Sequence, residues 1–576
     1  MKRMLSYGKP FIFGIIVVLV VKLLAAVLDL MIPSALADII NETIATGGKQ
    51  AIVKHGLRML IFAASELVLN TAANAYASVI TNRMVGNMRH DLFEKVTALS
   101  ARQMDEVTIP SAISRLTSDT YNINHMFGRM LRMGVRAPAL MIGGVVVTFS
   151  REPMMALILL AALPLVIFTV VHNTRKTIPL NKQKQGILDR MVRNVQENAT
   201  GIRVIKALSK TDYEMDRYDK VNNELADKGL EASLISIRSQ PIVNIIFYVS
   251  LVVVIVAGGI RVNLGLMLPG EILAFMQYFT IIINATLGIS GVFVMCANGV
   301  ASAGRISEIM EMEETMQVEA GEAEQTDYAL EFRNVSFSYN GVEPNLKDVS
   351  FALKQGQTLG VIGATGSGKT TLVNLLLRFY DADAGQILLK GRDVRTIENA
   401  ELRDMFGVAF QNDFIVADTI EKNIDFYRGL GKEAAQKAAV LAQAADYIAE
   451  KEGGMEHTLT VKGNNLSGGQ KQRLLIARAL ASNPDILVLD DSSSALDYRT
   501  DASLRKALAE NFADTTKVII AQRVSSIQSA DHILVLENGE VIGSGTHAEL
   551  METCGEYRHI AQTQMEVQTG EEAAYV

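Results

Sequence analysis

The chain has 576 residues, 49% hydrophobic and 20% charged, with a mean hydropathy of +0.21. That composition excludes wholesale disorder, and two cysteines in such a length exclude a disulfide scaffold, so Cys296 and Cys554 are expected as free thiols. A formal charge of −7 speaks against bulk nucleic-acid binding.

The apolar content is concentrated in residues 1–300, in stretches at about 11–32, 57–80, 135–150, 154–172, 242–262 and 272–296. Crossing a bilayer takes about 20 residues as a helix, so these read as six spans. The third and fourth meet at Ser150-Arg151-Glu152-Pro153, a tight hairpin. Lys2, Arg3 and Lys9 before the first stretch resemble the start of a signal peptide. An h-region of that kind is only about 7–15 residues, however, and this stretch continues to Pro33, so an uncleaved helix is expected. Residues 81–134 carry seven Lys and Arg, and 173–241 carry thirteen. The opposite side has only Lys49, Lys54, Arg151 and Arg261, which places the N-terminus and both long connections in the cytosol. Those connections lack Gly/Pro clusters and keep helical apolar spacing (Ile187, Met191, Val195, Ala199), so the spans continue as helices into the cytosol and return.

Inside the first two spans, Lys22 and Asp29 share one helix face, and Glu66, Asn70 and Asn74 recur every four residues. Intramembrane charges face a cavity or one another. Two readings stand: a substrate face suited to cationic amphiphiles through Asp29 and Glu66, or interhelical bonding in which Lys22 is neutralised by Asp29 or Glu66.

Residues 316–328 read as an acidic, solvated linker between a membrane domain (1–315) and a second domain (329–567), with 568–576 as a tail. The second domain alternates strand-like runs (Leu330-Glu331-Phe332, Thr358–Ile362, Ile486–Leu489, Val518–Ala521) with helical patterns, which predicts an α/β sheet. After one such run comes Gly363-Ala364-Thr365-Gly366-Ser367-Gly368-Lys369-Thr370, followed by Thr371 and an apolar helix. This is G-x-x-x-x-G-K-[ST] in the strand-then-helix context that a phosphate cradle needs. Lys369 is the residue to reach the outer phosphates, and the Thr370 hydroxyl is a Mg²⁺ ligand. Ile486–Asp490 is an apolar strand ending in a carboxylate, a Walker B pattern with Asp490 holding Mg²⁺.

Between them stands Leu466-Ser467-Gly468-Gly469-Gln470. With that run the chain resembles an ABC exporter half-transporter. The resemblance implies an all-α six-helix transmembrane domain with long cytosolic extensions, followed by an α/β P-loop ATPase domain that uses ATP and Mg²⁺ in the cytoplasmic membrane. In the family, LSGGQ caps the ATP held by the other subunit's P-loop. By the same resemblance Tyr339 stacks on adenine and Gln411 contacts Mg²⁺. Ser494-Ala495-Leu496-Asp497 is the D-loop, and short coupling helices lie near 102–112 and 208–217.

Two positions depart from that family. The glutamate that polarises water after Walker B is replaced by Asp491, one methylene shorter, and the switch histidine is replaced by Gln522. Every binding motif is intact, which suggests a site that holds ATP and hydrolyses it poorly. A homodimer would have two such sites. The expected partner is therefore a different half-transporter carrying the Glu and the His, its site completed by Ser467, Gly468, Gly469 and Gln470 from here. The Thr460–Asn465 stretch also lacks the carboxylate that many exporters place before LSGGQ. Export of small amphipathic drugs is the expected function. A lipid or peptide exporter, or a gating subunit that binds ATP without driving transport, is the alternative. Six spans exclude a soluble ABC ATPase.

Overall fold

The computed structural model describes residues 2–574 except 47–48, 314 and 412–413. It divides into two compact units. One comprises residues 1–97 and 108–312, and the other residues 98–107 and 313–576.

The chain begins with α1 (Ile12–Thr46), α2 (Lys49–Ala98) and the short α3 (Ala101–Val107), which belongs to the second unit. Then follow α4 (Thr120–Met133), α5 (Arg136–Arg151), α6 (Pro153–Ala207), α7 (Thr211–Ile237), α8 (Ser239–Asn263) and α9 (Pro269–Met310). Among the described residues, five helical runs are long and apolar enough to cross a membrane: 3–42, 109–151, 153–207, 211–263 and 269–310. The region read as the second span, 57–80, is continuous helix within α2 but more polar than those five. Its polar residues include Glu66, Asn70 and Asn74, and all three bond to neighbouring helices.

The hairpin expected at 150–153 is present: the Glu152 backbone is extended between α5 and α6. The long connections are helical as expected. α6 runs 55 residues and reverses at Leu208–Lys210 into α7.

In the second unit, residues 316–327 have no regular structure but are tied down: Glu319 N donates to Arg395 O and Glu324 N to Gly391 O. Two sheets follow. The antiparallel sheet has the order β2-β1-β4-β5, with β1 Tyr328–Phe337, β2 Leu346–Lys354, β4 Ala384–Leu389 and β5 Arg392–Asp393. The larger sheet has the order β10-β9-β3-β8-β7-β6. Its strands are β3 Thr358–Gly363, β6 Phe406–Ala409, β7 Ile486–Asp490, β8 Thr516–Ile520, β9 His532–Glu537 and β10 Glu540–Gly545. β9, β3, β8, β7 and β6 are parallel, and β10 is an antiparallel edge. β7 is buried along its whole length, as a parallel strand covered on both faces must be. The helices used below are α10 (Lys369–Leu376), α11 (Gly468–Leu480), α12 (Tyr498–Asn511) and α13 (Gly555–Ala574). α13 continues through residues 568–574, which the sequence reading set apart as a tail.

Candidate nucleotide site

Parallel strands bring their C-terminal ends to one edge, where open α/β sheets bind ligands. β3 ends at Gly363, β6 at Ala409, β7 at Asp490 and β8 at Ile520. Asp490 is in register with Ile520, and Leu489 with Ala409. The topology therefore gathers Lys369, Gln411, Asp490, Asp491 and Gln522 although they span more than 150 residues of chain.

The P-loop needs its glycines. A Cβ on Gly363 would lie 2.1 Å from Leu536 O, and Gly368 sits at φ +103°, where its Cβ would meet Asn345 O at 2.7 Å. α10 starts directly after Gly368, so its free N–H groups face the loop. Lys369 Nζ donates to Gly363 O and Ala364 O, both at 2.8 Å. Ser367 Oγ is buried with no hydrogen-bond partner among the described residues. A cradle of N–H groups with an unsatisfied hydroxyl beside a lysine fits a polyphosphate.

Burial pushes the Asp490 carboxyl above its ordinary range, the Asp491 charge adds to that, and Lys369 opposes it. Burial also raises Asp491, against Lys369, the Gln522 amide and Arg523. Lys369 is pulled down by burial, with Asp490 and Asp491 opposing. Two buried carboxyls of raised pKa beside one lysine suit a divalent cation, with Asp490 and the neighbouring Thr370 as the residues to hold it.

Asp491 is 7% exposed, and its backbone is left-handed at φ +47°. Both flanking amides donate to the same carboxylate oxygen, Oδ2: Gln411 Nε2 at 3.1 Å and Gln522 Nε2 at 2.7 Å. Gln522 is in turn held from α13, where Gln564 donates to Gln522 O and accepts from Val524 N, each at 2.8 Å. His532 and His547 are engaged elsewhere, with Ser544 and Tyr557.

Tyr339 is partly exposed, and its hydroxyl accepts from Asn374 Nδ2 at 2.9 Å. Its ring meets Tyr380 edge-on at 5.0 Å. Tyr380 donates to Asp105 of α3 at 2.6 Å, and Gln103 of α3 donates to Glu313 O at 2.7 Å.

The LSGGQ run is a helix start. Ser467 caps α11, with Gln470 closing a reciprocal capping box. Gln472, one turn on, clamps the D-loop: its Nε2 donates to Ser494 Oγ at 3.1 Å and its Oε1 accepts from Ala495 N at 2.9 Å. Ser494 Oγ also donates to Asp491 O at 3.0 Å, and Asp497 caps α12. Ser467, Gly468 and Gly469 thus sit on the D-loop as one piece, Ser467 and Gly468 exposed.

In the membrane unit the buried Lys22 donates to Asn70 Oδ1 and Asn74 Oδ1 at 2.5 and 2.6 Å. It does not pair with Asp29 or Glu66. Their cation is Arg136, which the sequence reading did not single out: it bonds Asp29 at 2.9 Å and Glu66 at 2.7 Å. An arginine early in an apolar span was the available signal.

Residues 15–286 match the family described as ABC transporter transmembrane region, and residues 346–494 that described as ABC transporter. The chain is 33% identical to the uncharacterized ABC transporter ATP-binding protein YfiB of Bacillus subtilis, over 98% of each chain. It is 29% identical to an ATP-dependent lipid A-core flippase of Photobacterium profundum, over 98% of this chain and 97% of that one. A solved bacterial Atm1-family ABC exporter with ATP bound superposes with a TM-score of 0.81 at 23% identity, over 97% of this chain and 98% of that one, which shows a shared fold. The chain belongs to the ABC transporter family. It is an exporter-type half-transporter, a multi-pass membrane domain followed by an ABC ATPase domain.

Proposed function

We propose that this chain is the degenerate half of a heterodimeric exporter of small amphipathic molecules across the cytoplasmic membrane. Its N-terminus and ATPase domain face the cytosol. Its own P-loop holds ATP with Mg²⁺ on Thr370, Gln411 and Asp490, and hydrolyses it weakly. Its LSGGQ completes the partner's competent site. The observation that carries this reading is the state of Asp491. A general base needs a free lone pair within hydrogen-bond reach of the attacking water. Here the carboxylate is a methylene short, and one of its oxygens accepts from two amides, one of them at the switch position. Gln522 can donate a hydrogen bond but takes up no proton.

The test is ATPase activity of the purified chain, alone and with the half-transporter that co-purifies with it. The expected result is weak turnover alone and amphiphile-stimulated turnover in the pair. Full stimulated activity from the isolated chain would overturn the heterodimer.

A further inference from the structure

β8 ends at Ile520, and the switch segment follows it on the way to β9. Gln522 of that segment lines a cavity of about 320 Å³, together with Gly363, Thr365 and Lys369 of the phosphate cradle. Glu556 and Ile560 of α13 line the same cavity. A loop that aims a side chain at a reacting group must hold its own backbone, since a misplacement of about 1 Å can cost about 100-fold in rate. Side chains of two helices hold it here. Gln564 of α13 donates to Gln522 O and accepts from Val524 N, each at 2.8 Å. Arg505 of α12 donates to Ser525 O and is itself paired with Asp501 at 2.7 Å. A side-chain amide carries a neutral donor and acceptor side by side, which is what a C=O and an N–H two residues apart require.

α13 is a firm base for that amide. Tyr557 and Ala561 are fully buried and pack in one cluster with Ala521 and Val524 of the switch segment. The Tyr557 hydroxyl bonds His547 Nδ1 at 2.8 Å. Gln564 follows Tyr557 by seven residues and Ala561 by three, so it stands on the same helix face. The switch therefore has a held backbone and a side chain that turns about its own bonds. That side chain donates to Asp491 Oδ2 and borders the cradle.

We propose that Gln564 is a positioning residue for ATP hydrolysis: from α13 it fixes the switch backbone, so that the Gln522 amide reaches Asp491 and the outer phosphate. The inference holds at whatever rate the site turns over, so it stands apart from the heterodimer reading.

The test uses the full-length chain in nanodiscs, with hydrogen exchange of the 521–526 amides, ATP affinity, and the rate of a single turnover at enzyme excess. Gln564→Ala removes both bonds. Exchange of the Val524 amide should speed about fivefold without nucleotide, the scale of one lost hydrogen bond. The turnover rate should fall about tenfold, while ATP affinity changes less than about threefold because the P-loop is untouched. Gln564→Glu keeps the acceptor for Val524 N but repels Gln522 O until its carboxyl is protonated. Its rate relative to the parent should therefore recover severalfold as pH falls from about 8 to about 5.5. Unchanged exchange in Gln564→Ala, or faster exchange with an unchanged rate, overturns the proposal. So does an equal loss in both variants at every pH, which would report packing of α13 alone. A parent chain that completes no turnover overturns it too, because no step is then left to position. Full stimulated turnover by the isolated parent overturns only the heterodimer reading.

Discussion

At Asp491 the sequence departure and the local geometry act in the same direction. A raised carboxyl pKa means that the native state binds its proton more tightly than the unfolded chain does. The ionised form therefore costs native stability above the ordinary carboxylate range, and that cost disappears as pH falls below it. Asp491→Asn keeps an acceptor for the two amides and removes the charge. The nucleotide-free protein should melt higher by a few degrees at about pH 7.5, the gain closing toward about pH 4. An unchanged Tm difference across that range would show that the Asp491 carboxyl is not raised in the native state. The same residue shows how far the sequence could be read. Asp491 and Gln522 were legible because each stands inside a contiguous motif. The hold of Gln564 on the switch segment was not, because it joins residues 42 apart and no motif encodes it.

Among the elements, three membrane helices depend on one guanidinium. Arg136 of α5 reaches Asp29 of α1 and Glu66 of α2. Removing one partner of a part-buried ionic group leaves the others uncompensated, typically about 3–5 kcal/mol, whereas replacing the whole set by neutral groups is far milder. Arg136→Ala should thus sharply reduce the yield of monodisperse protein in detergent. Arg136→Met with Asp29→Asn and Glu66→Gln should recover most of it. Failure of the triple variant to recover would mean the arginine acts through packing. A second tie lies in the ATPase unit, where α3 is held by Tyr380. Tyr380→Phe deletes one hydrogen bond, about 1 kcal/mol, and should speed hydrogen exchange of the 101–107 amides about fivefold. Nucleotide affinity should change less than about threefold, since Tyr339 keeps its bond to Asn374. Unaltered exchange would remove Tyr380 as the anchor of α3. Both ties escape a linear reading for the same reason: periodicity and hydropathy show which face of a helix is polar, not which distant residue answers it. Asn70 and Asn74 were visible as a stripe, but their partner Lys22 lies 48 and 52 residues away.

For the whole molecule, the arrangement is asymmetric within a single chain. The half that would serve its own ATP carries Asp491 restrained by two amides. The half that would serve a partner's ATP has LSGGQ and the D-loop joined through Gln472. That division predicts opposite sensitivities in the assembled pair. On the proposed reading little of the turnover comes from that site, so Asp491→Asn should lower steady-state ATPase less than about threefold. Ser467→Arg should nearly abolish it. The substitution puts a bulky cation at the exposed start of α11, where the heterodimer proposal has a phosphate of the partner's nucleotide bind, and it also removes the helix cap. Loss of the cap alone costs only about 1 kcal/mol, so Ser467→Ala separates the two effects by keeping the bulk small. In a heterodimer with one competent site, Ser467→Arg here and removal of the catalytic glutamate in the partner should give the same residual rate, and combining them should lower it no further. The measurement is ATP turnover of the purified pair. A large loss with Asp491→Asn, equal to that with Ser467→Arg, would mean that both sites turn over and that the short carboxylate is a working base.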